Sequence, residues 1–265
     1  MYYVYDGTFE GFLSAVTELF RGESEEHGRC GKEASVCKEA EIRPLIPHIE
    51  AEVIEGITCR FGEYLSGHFG KAMPDTVYRA FLSELPGIED SLIRYIRLAR
   101  RIRKDPIDML NVECVRQVAQ AYKRTSRETH RYMGLLRFRK LNITDPSSRV
   151  EIFYAEFEPQ TDCLSLLADH FTDRFEGIPF VIADRSRNKC LLHMSGNDWT
   201  IREADPELFS SKSVETLYEA LWQRYFKCMA IPERINPKLQ SSNMPRKYWK
   251  HLVEKPGEIF KSSIQ

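Results

Sequence analysis

The sequence predicts an α+β protein: an N-terminal strand and helix, a largely helical middle, then a small antiparallel sheet with packed helices. Two observations carry this. Residues 60–141 repeat their apolar positions at helical spacing, and after Asn142 the pattern turns to alternation, as in RVEIFYAEFEP at 149–159. Helices grouped ahead of strands give an α+β class, not the alternating order of a doubly wound sheet.

Taken in order, YYVY at 2–5 is a short strand with a turn at Asp6-Gly7. Thr8 is placed to cap a helix whose stripe is Phe9, Phe12, Leu13, Val16, Leu19 and Phe20. Residues 21–41 are polar and aperiodic, and read as a mobile loop. Pro74 and Asp75 open a helix through YRAFLSEL, and Pro86-Gly87 closes it. A helix follows over about 89–104, then a long one over about 109–139 with an inner stripe of Val115, Val118, Ala119, Tyr122, Thr129, Met133 and Leu136. Residues 162–174 form a further helix, 179–204 two or three strands with turns at 185–188 and 195–197, and 214–231 a last amphipathic helix. The expected organisation is an N-terminal part over 1–60, a main domain over 61–255 and a tail over 256–265.

A hydrophobic content of 42% with 29% charged residues is that of an ordinary globular protein. No run approaches 18 apolar residues and no basic-then-apolar leader opens the chain, so neither membrane insertion nor export is expected. The seven cysteines are scattered, with no CxxC, as in a reducing cytoplasm. Net charge is −1, but its distribution is uneven: residues 94–140 carry fourteen basic and four acidic side chains. Such a block points to a polyanion-facing surface.

Three stretches make up that candidate surface. In SLIRYIRLARRIRK (91–104), Leu92, Tyr95, Ala99 and Ile102 share one face, and Arg94, Arg97, Arg101 and Lys104 the other. Like charges at this spacing cost helix stability, and phosphates could offset the cost. On the long helix Arg116, Lys123, Arg127, His130 and Arg131 share a sector above Gly134, and Arg137, Arg139 and Lys140 continue the run. Third, NPKLQSSNMPRKYWKHL (236–252) sets Arg246, Lys247 and Lys250 around Tyr248 and Trp249. Aromatic faces there can stack on bases while the cations hold a backbone, or the segment can dock the C-terminus on the core.

Catalytic motifs are sparse. GxSxG, HExxH and GxxxxGK[ST] are all absent. His27, Cys30 and Cys37 lack a fourth zinc ligand at a usual spacing, and no cofactor or metal is expected. Asp169-His170 could serve acid–base chemistry, and Glu156, Glu158 and Asp162 could hold a divalent ion. A solvated strand edge explains the carboxylates equally well.

YDGTFEGFLSAV at the start, YRAFLSELPGIEDSLIRYIRL at 78–98, ETHRYMGLLRF at 128–138 and ALWQRYFKCMAIPERINPKLQSSNMPRKYWKHL at 220–252 resemble a bacterial family of DNA metabolism or DNA repair proteins built around a domain of unknown function. The resemblance implies a nucleic-acid role. Members are typically encoded beside a radical-SAM protein, and some are fused to a C-terminal uracil-DNA-glycosylase-like domain. Here the resemblance includes no glycosylase part. Without a CxxxCxxC cluster, any radical-SAM chemistry belongs to a partner. The resemblance carries no catalytic residues onto this chain. The expected function is therefore accessory DNA binding, with an enzyme acting on DNA or nucleotides and a protein-interaction adaptor as alternatives.

Overall fold

The computed structural model describes residues 2–25, 35–38, 48–145, 148–194, 198–204, 221, 224, 225, 228, 229 and 236–253. They divide into two compact units, Met1–Ser126 and Arg127–Gln265. The division falls inside a helix. The α+β class is as expected.

In the first unit β1 (Tyr2–Tyr5) lies between β2 (Ser35–Lys38) and β3 (His48–Glu50), parallel to both. The loop expected over 21–41 is thus partly regular: 21–25 complete α1 (Phe9–Glu25) and 35–38 form β2, while His27 and Cys30 lie outside the described residues. α2 (Ile57–Phe69), α3 (Met73–Phe81), α4 (Ile88–Ile102) and the start of α5 (Glu113–Leu135) complete the unit. Its core is aromatic. Phe12 packs on Tyr5 at 5.8 Å and on Phe81 at 5.2 Å, and the Tyr5 hydroxyl donates to Glu89 Oε1 at 2.9 Å.

The entry into α1 is a closed set of side-chain bonds. Thr8 Oγ1 accepts from the Gly11 N–H at 3.0 Å, the capping bond that its position predicts. Asp6 Oδ1 accepts from the Thr8 N–H at 2.9 Å and from its hydroxyl at 2.6 Å. Gly7 turns the chain at φ 87. Gly11 leaves the space that Asp6 occupies, since a Cβ there would stand 2.1 Å from Asp6 Oδ1.

In the second unit β4 (Arg139–Asp145), β5 (Ser148–Phe157), β6 (Phe180–Asp184), β7 (Lys189–His193) and β8 (Trp199–Glu203) form one sheet in sequence order. It is mixed. Three pairings are antiparallel as expected, but β5 and β6 run parallel, joined by α6 (Leu164–Phe175). A parallel pair needs such a crossover. Apolar clusters cover both faces, Phe157, Leu167, Phe171, Phe180 and Leu191 on one and Ile152, Tyr154, Val181 and Cys190 on the other. The helix expected over 214–231 is helical at its described positions, Leu221, Arg224, Tyr225, Cys228 and Met229; the rest lies outside the described residues. α7 (Pro237–Asn243) and a 3₁₀ helix (Arg246–His251) end the described chain.

Replacing Gly11 by Ala should destabilise the protein by about 1–2 kcal/mol in urea unfolding, although Ala is the better helix former, because Asp6 must leave the cap. In an Asp6→Ala background the same change should be neutral or stabilising.

Candidate functional site

α4 builds the first candidate face. Gly87, at φ 74, ends the preceding turn, and Glu89 and Asp90 sit in the first helical turn with Arg100 and Arg101 in the last. Each charge thus meets the favourable end of the helix dipole. Leu92, Ile93, Tyr95, Ile96 and Ala99 are buried, so the charged stripe must face outward. Arg94 and Arg101, and Lys104 just beyond the helix, are exposed and make no ion pair among the described residues. Arg97 differs: it is half-buried, bonds Glu23 Oε1 and lies 6.0 Å from the Phe20 ring centre. Arg100, which the sequence reading left out, stacks over Phe20 at 4.7 Å. Arg103, also left out, is exposed and ends α4 with a left-handed φ of 58. Both lay in the basic run, but a helical projection alone could not show that Phe20 faces it.

α5 carries the second face. Cys114, Val115, Val118 and Ala121 are buried, as are Thr129 and Tyr132 further along. Lys123, Arg124, Arg127 and His130 are exposed, and the first three form no ion pair among the described residues. Arg116 is exposed but paired with Glu113. After Glu113 the only acidic residue of the helix is Glu128, and it is 3% exposed, so the outer face has no carboxylate to neutralise it.

The C-terminal segment is built differently. The Asn236 side chain caps α7 by accepting from the Leu239 N–H at 3.0 Å, with Pro237 in the first turn. The following 3₁₀ turn then buries Tyr248 to 3% exposure, its ring edge-on to Tyr132 at 5.0 Å. That ring presents no face to a base. Lys247 donates to Glu128 Oε1 at 2.7 Å and to Gln160 Oε1 at 2.8 Å, and Lys250 donates to Glu158 Oε1 at 2.6 Å. Arg131 lies over the same Tyr248 ring at 5.7 Å. Trp249 donates its indole N–H to the Met244 carbonyl at 2.9 Å. Of the five residues expected to grip a strand, Arg246 alone both stands exposed and lacks an ion pair among the described residues; it lies 5.8 Å from the Trp249 ring centre.

The acidic cluster at the carboxyl ends of β5 and β6 is matched by cations. Glu156 pairs with Arg185 at 3.2 Å, Asp162 with Lys189 at 3.0 Å and Asp184 with Arg187 at 3.0 Å. His251 stands 3.6 Å from both Glu156 and Glu158. No group of three ligand-type side chains suited to a metal occurs among the described residues. Asp169 accepts the Trp199 indole N–H at 3.2 Å, and His170 packs on Phe171 at 4.9 Å. The sequence placed neither role.

These pairings set the protonation of the acids. Burial pushes the Glu128 carboxyl up, but the bond and charge of Lys247, aided by Thr161 and the Gln160 N–H, more than offset it and hold it below the usual range. The neighbouring His251 ring lowers Glu156, and Lys250 lowers Glu158. Asp184 is raised, because burial outweighs Arg187.

A lowered carboxyl contributes stability that is complete above the ordinary glutamate pKa, near ~4.3, and is lost as pH falls through its folded value. Urea midpoints should therefore drop below about pH 4.5, against a smaller opposite effect from Asp184. Lys247→Ala should lower stability at pH 7 by about 1–3 kcal/mol, since it strands a buried carboxylate while the lysine itself is partly exposed. That variant should also show a shallower acid decline. Adding Glu128→Gln should recover part of the loss.

The segment 86–254 holds α4, α5, the five-stranded sheet and the C-terminal turn, and matches the family described as a domain of unknown function, DUF4130. No curated protein matches the chain. With well over half of its residues matched, this chain belongs to the family of that domain of unknown function.

Proposed function

We propose that this protein is an accessory nucleic-acid-binding component of a DNA repair or DNA modification system. One observation carries the reading: Arg94, Arg101 and Lys104 stand exposed along α4 without a carboxylate partner among the described residues. Cations held so close together on a helix repel one another, and a phosphate backbone offsets that repulsion while releasing counterions. Lys123, Arg124, Arg127 and His130 on α5 repeat the arrangement. Arg103 and Arg246 extend the set of exposed cations, whereas Lys247, Tyr248 and Lys250 serve the fold of the second unit.

The family resemblance of the sequence supports DNA as the polyanion and a radical-SAM protein as the partner that supplies chemistry. Arg97 bound to Glu23 favours, within its own reach, an adaptor that meets an acidic protein.

Fluorescence anisotropy with single- and double-stranded oligonucleotides at several salt concentrations tests the proposal. Binding should weaken steeply with salt. Arg94→Ala, Arg101→Ala and Lys104→Ala combined should reduce the slope of log K against log salt by about 2–3, close to one phosphate per cation. Lys250→Ala should leave that slope unchanged. Absence of binding by the wild type at low salt would overturn the reading in favour of the adaptor, with an acidic protein as the ligand to seek.

A further inference from the structure

The first unit contains a cavity of about 280 Å³ between α1, α2 and α3. Every lining residue lies before residue 86, outside the family-matched segment, so its occupant is independent of the nucleic-acid reading. Phe9, Phe61 and Tyr78 line it, with Leu13 and Leu65 among the apolar residues beneath. Phe9 and Tyr78 are tilted at 56° with centres 4.9 Å apart, so they form an angled wall and do not close the space by stacking. The volume lies just under the ~300–1,000 Å³ of drug-sized sites, enough for one ring system with a short substituent.

Two features give the cavity a chemical preference. Its charged lining consists of two carboxylates, Glu10 and Asp75, and no cation. Asp75 is already neutralised by Arg79 at 2.7 Å. Glu10, exposed to solvent, accepts a long bond from the Thr58 hydroxyl at 3.3 Å and has no ion pair among the described residues. Aromatic faces beside a free carboxylate attract an organic cation through the ring quadrupole and by charge-assisted hydrogen bonding. They disfavour an anion.

The second feature is Gly62. It lies inside α2, where glycine costs helix stability relative to alanine, and it lines the cavity. A Cβ built there would meet nothing within 4 Å. Without a side chain, Gly62 leaves that part of the cavity open.

We infer that the cleft between α1, α2 and α3 is a binding site for a small aromatic cation, an aryl amidine or arylalkylamine, with the ring against Phe9, Phe61 and Tyr78 and the positive group at Glu10. Such a ligand pairs with the Glu10 carboxylate and fills the apolar volume together.

Ligand-observed NMR titration of the full chain with benzamidine, benzyl alcohol and benzoate tests this. Benzamidine should bind saturably and at least about tenfold more tightly than benzoate. Glu10→Gln should weaken benzamidine about five- to tenfold while leaving benzyl alcohol within about twofold, the signature of a charge contact and not of a lost fold. Gly62→Leu should abolish binding of both with an unchanged or raised melting temperature, because the added side chain occupies the cavity. Gly62→Ala, which fills less of it, should keep measurable binding. No saturable binding of benzamidine by the wild type would overturn the inference, as would full binding by a folded Gly62→Leu variant or equal affinity for benzoate.

Discussion

The bond between Glu128 and Lys247 ties the C-terminal segment to the second unit at a buried charge. A carboxylate 3% exposed cannot stay charged without a partner, and the cation that answers it arrives from 119 residues further along the chain. Once Lys247 is placed there, Tyr248 has one course, into the aromatic group of Tyr132 and Phe157. Lys250, one 3₁₀ turn later, falls at Glu158, and His251 falls between Glu156 and Glu158. Docking of the C-terminal segment therefore follows from the desolvation cost of one acid. The Tyr132 hydroxyl donates to the Glu158 carbonyl at 3.1 Å, which ties the same helix to the end of β5.

The helices were legible in the sequence because each buries one stripe, and a period of 3.6 residues leaves that stripe visible. Leu92, Tyr95, Ala99, Val115 and Val118 are fully buried, and Thr129 nearly so. Thr8 could be read as a cap because the capping bond is local. What stayed hidden depends on distant pairing. Alternation in β5 announces a strand but cannot state whether its neighbour runs parallel, and here both faces are covered, which blurs the alternation itself. β2 lies in a polar stretch, and its strand state depends on pairing with β1, which the sequence does not announce.

The basic residues show the same limit more sharply. Composition located the cations, but only the fold separates those paired with carboxylates from those left to solvent. Arg101 and Lys104 face outward with no pair among the described residues, whereas Arg97 meets Glu23 and Lys247 meets Glu128. In the KYWK segment the local sequence left gripping and docking both open, because the acids that occupy its lysines are far away in the chain. The carboxylates at 156, 158 and 162 show the mirror image, since Arg185, Lys250 and Lys189 pair with them from other elements.

α5 runs unbroken through the division at Ser126 and Arg127. A single ladder of i to i−4 hydrogen bonds therefore runs across the division, and a cut there severs a helix. Cleavage there would leave residues 127–135 as a helix remnant too short to nucleate alone, and that remnant carries Glu128 and Tyr132. The second unit therefore takes Glu128 and Tyr132 from a helix whose first turns lie before residue 127.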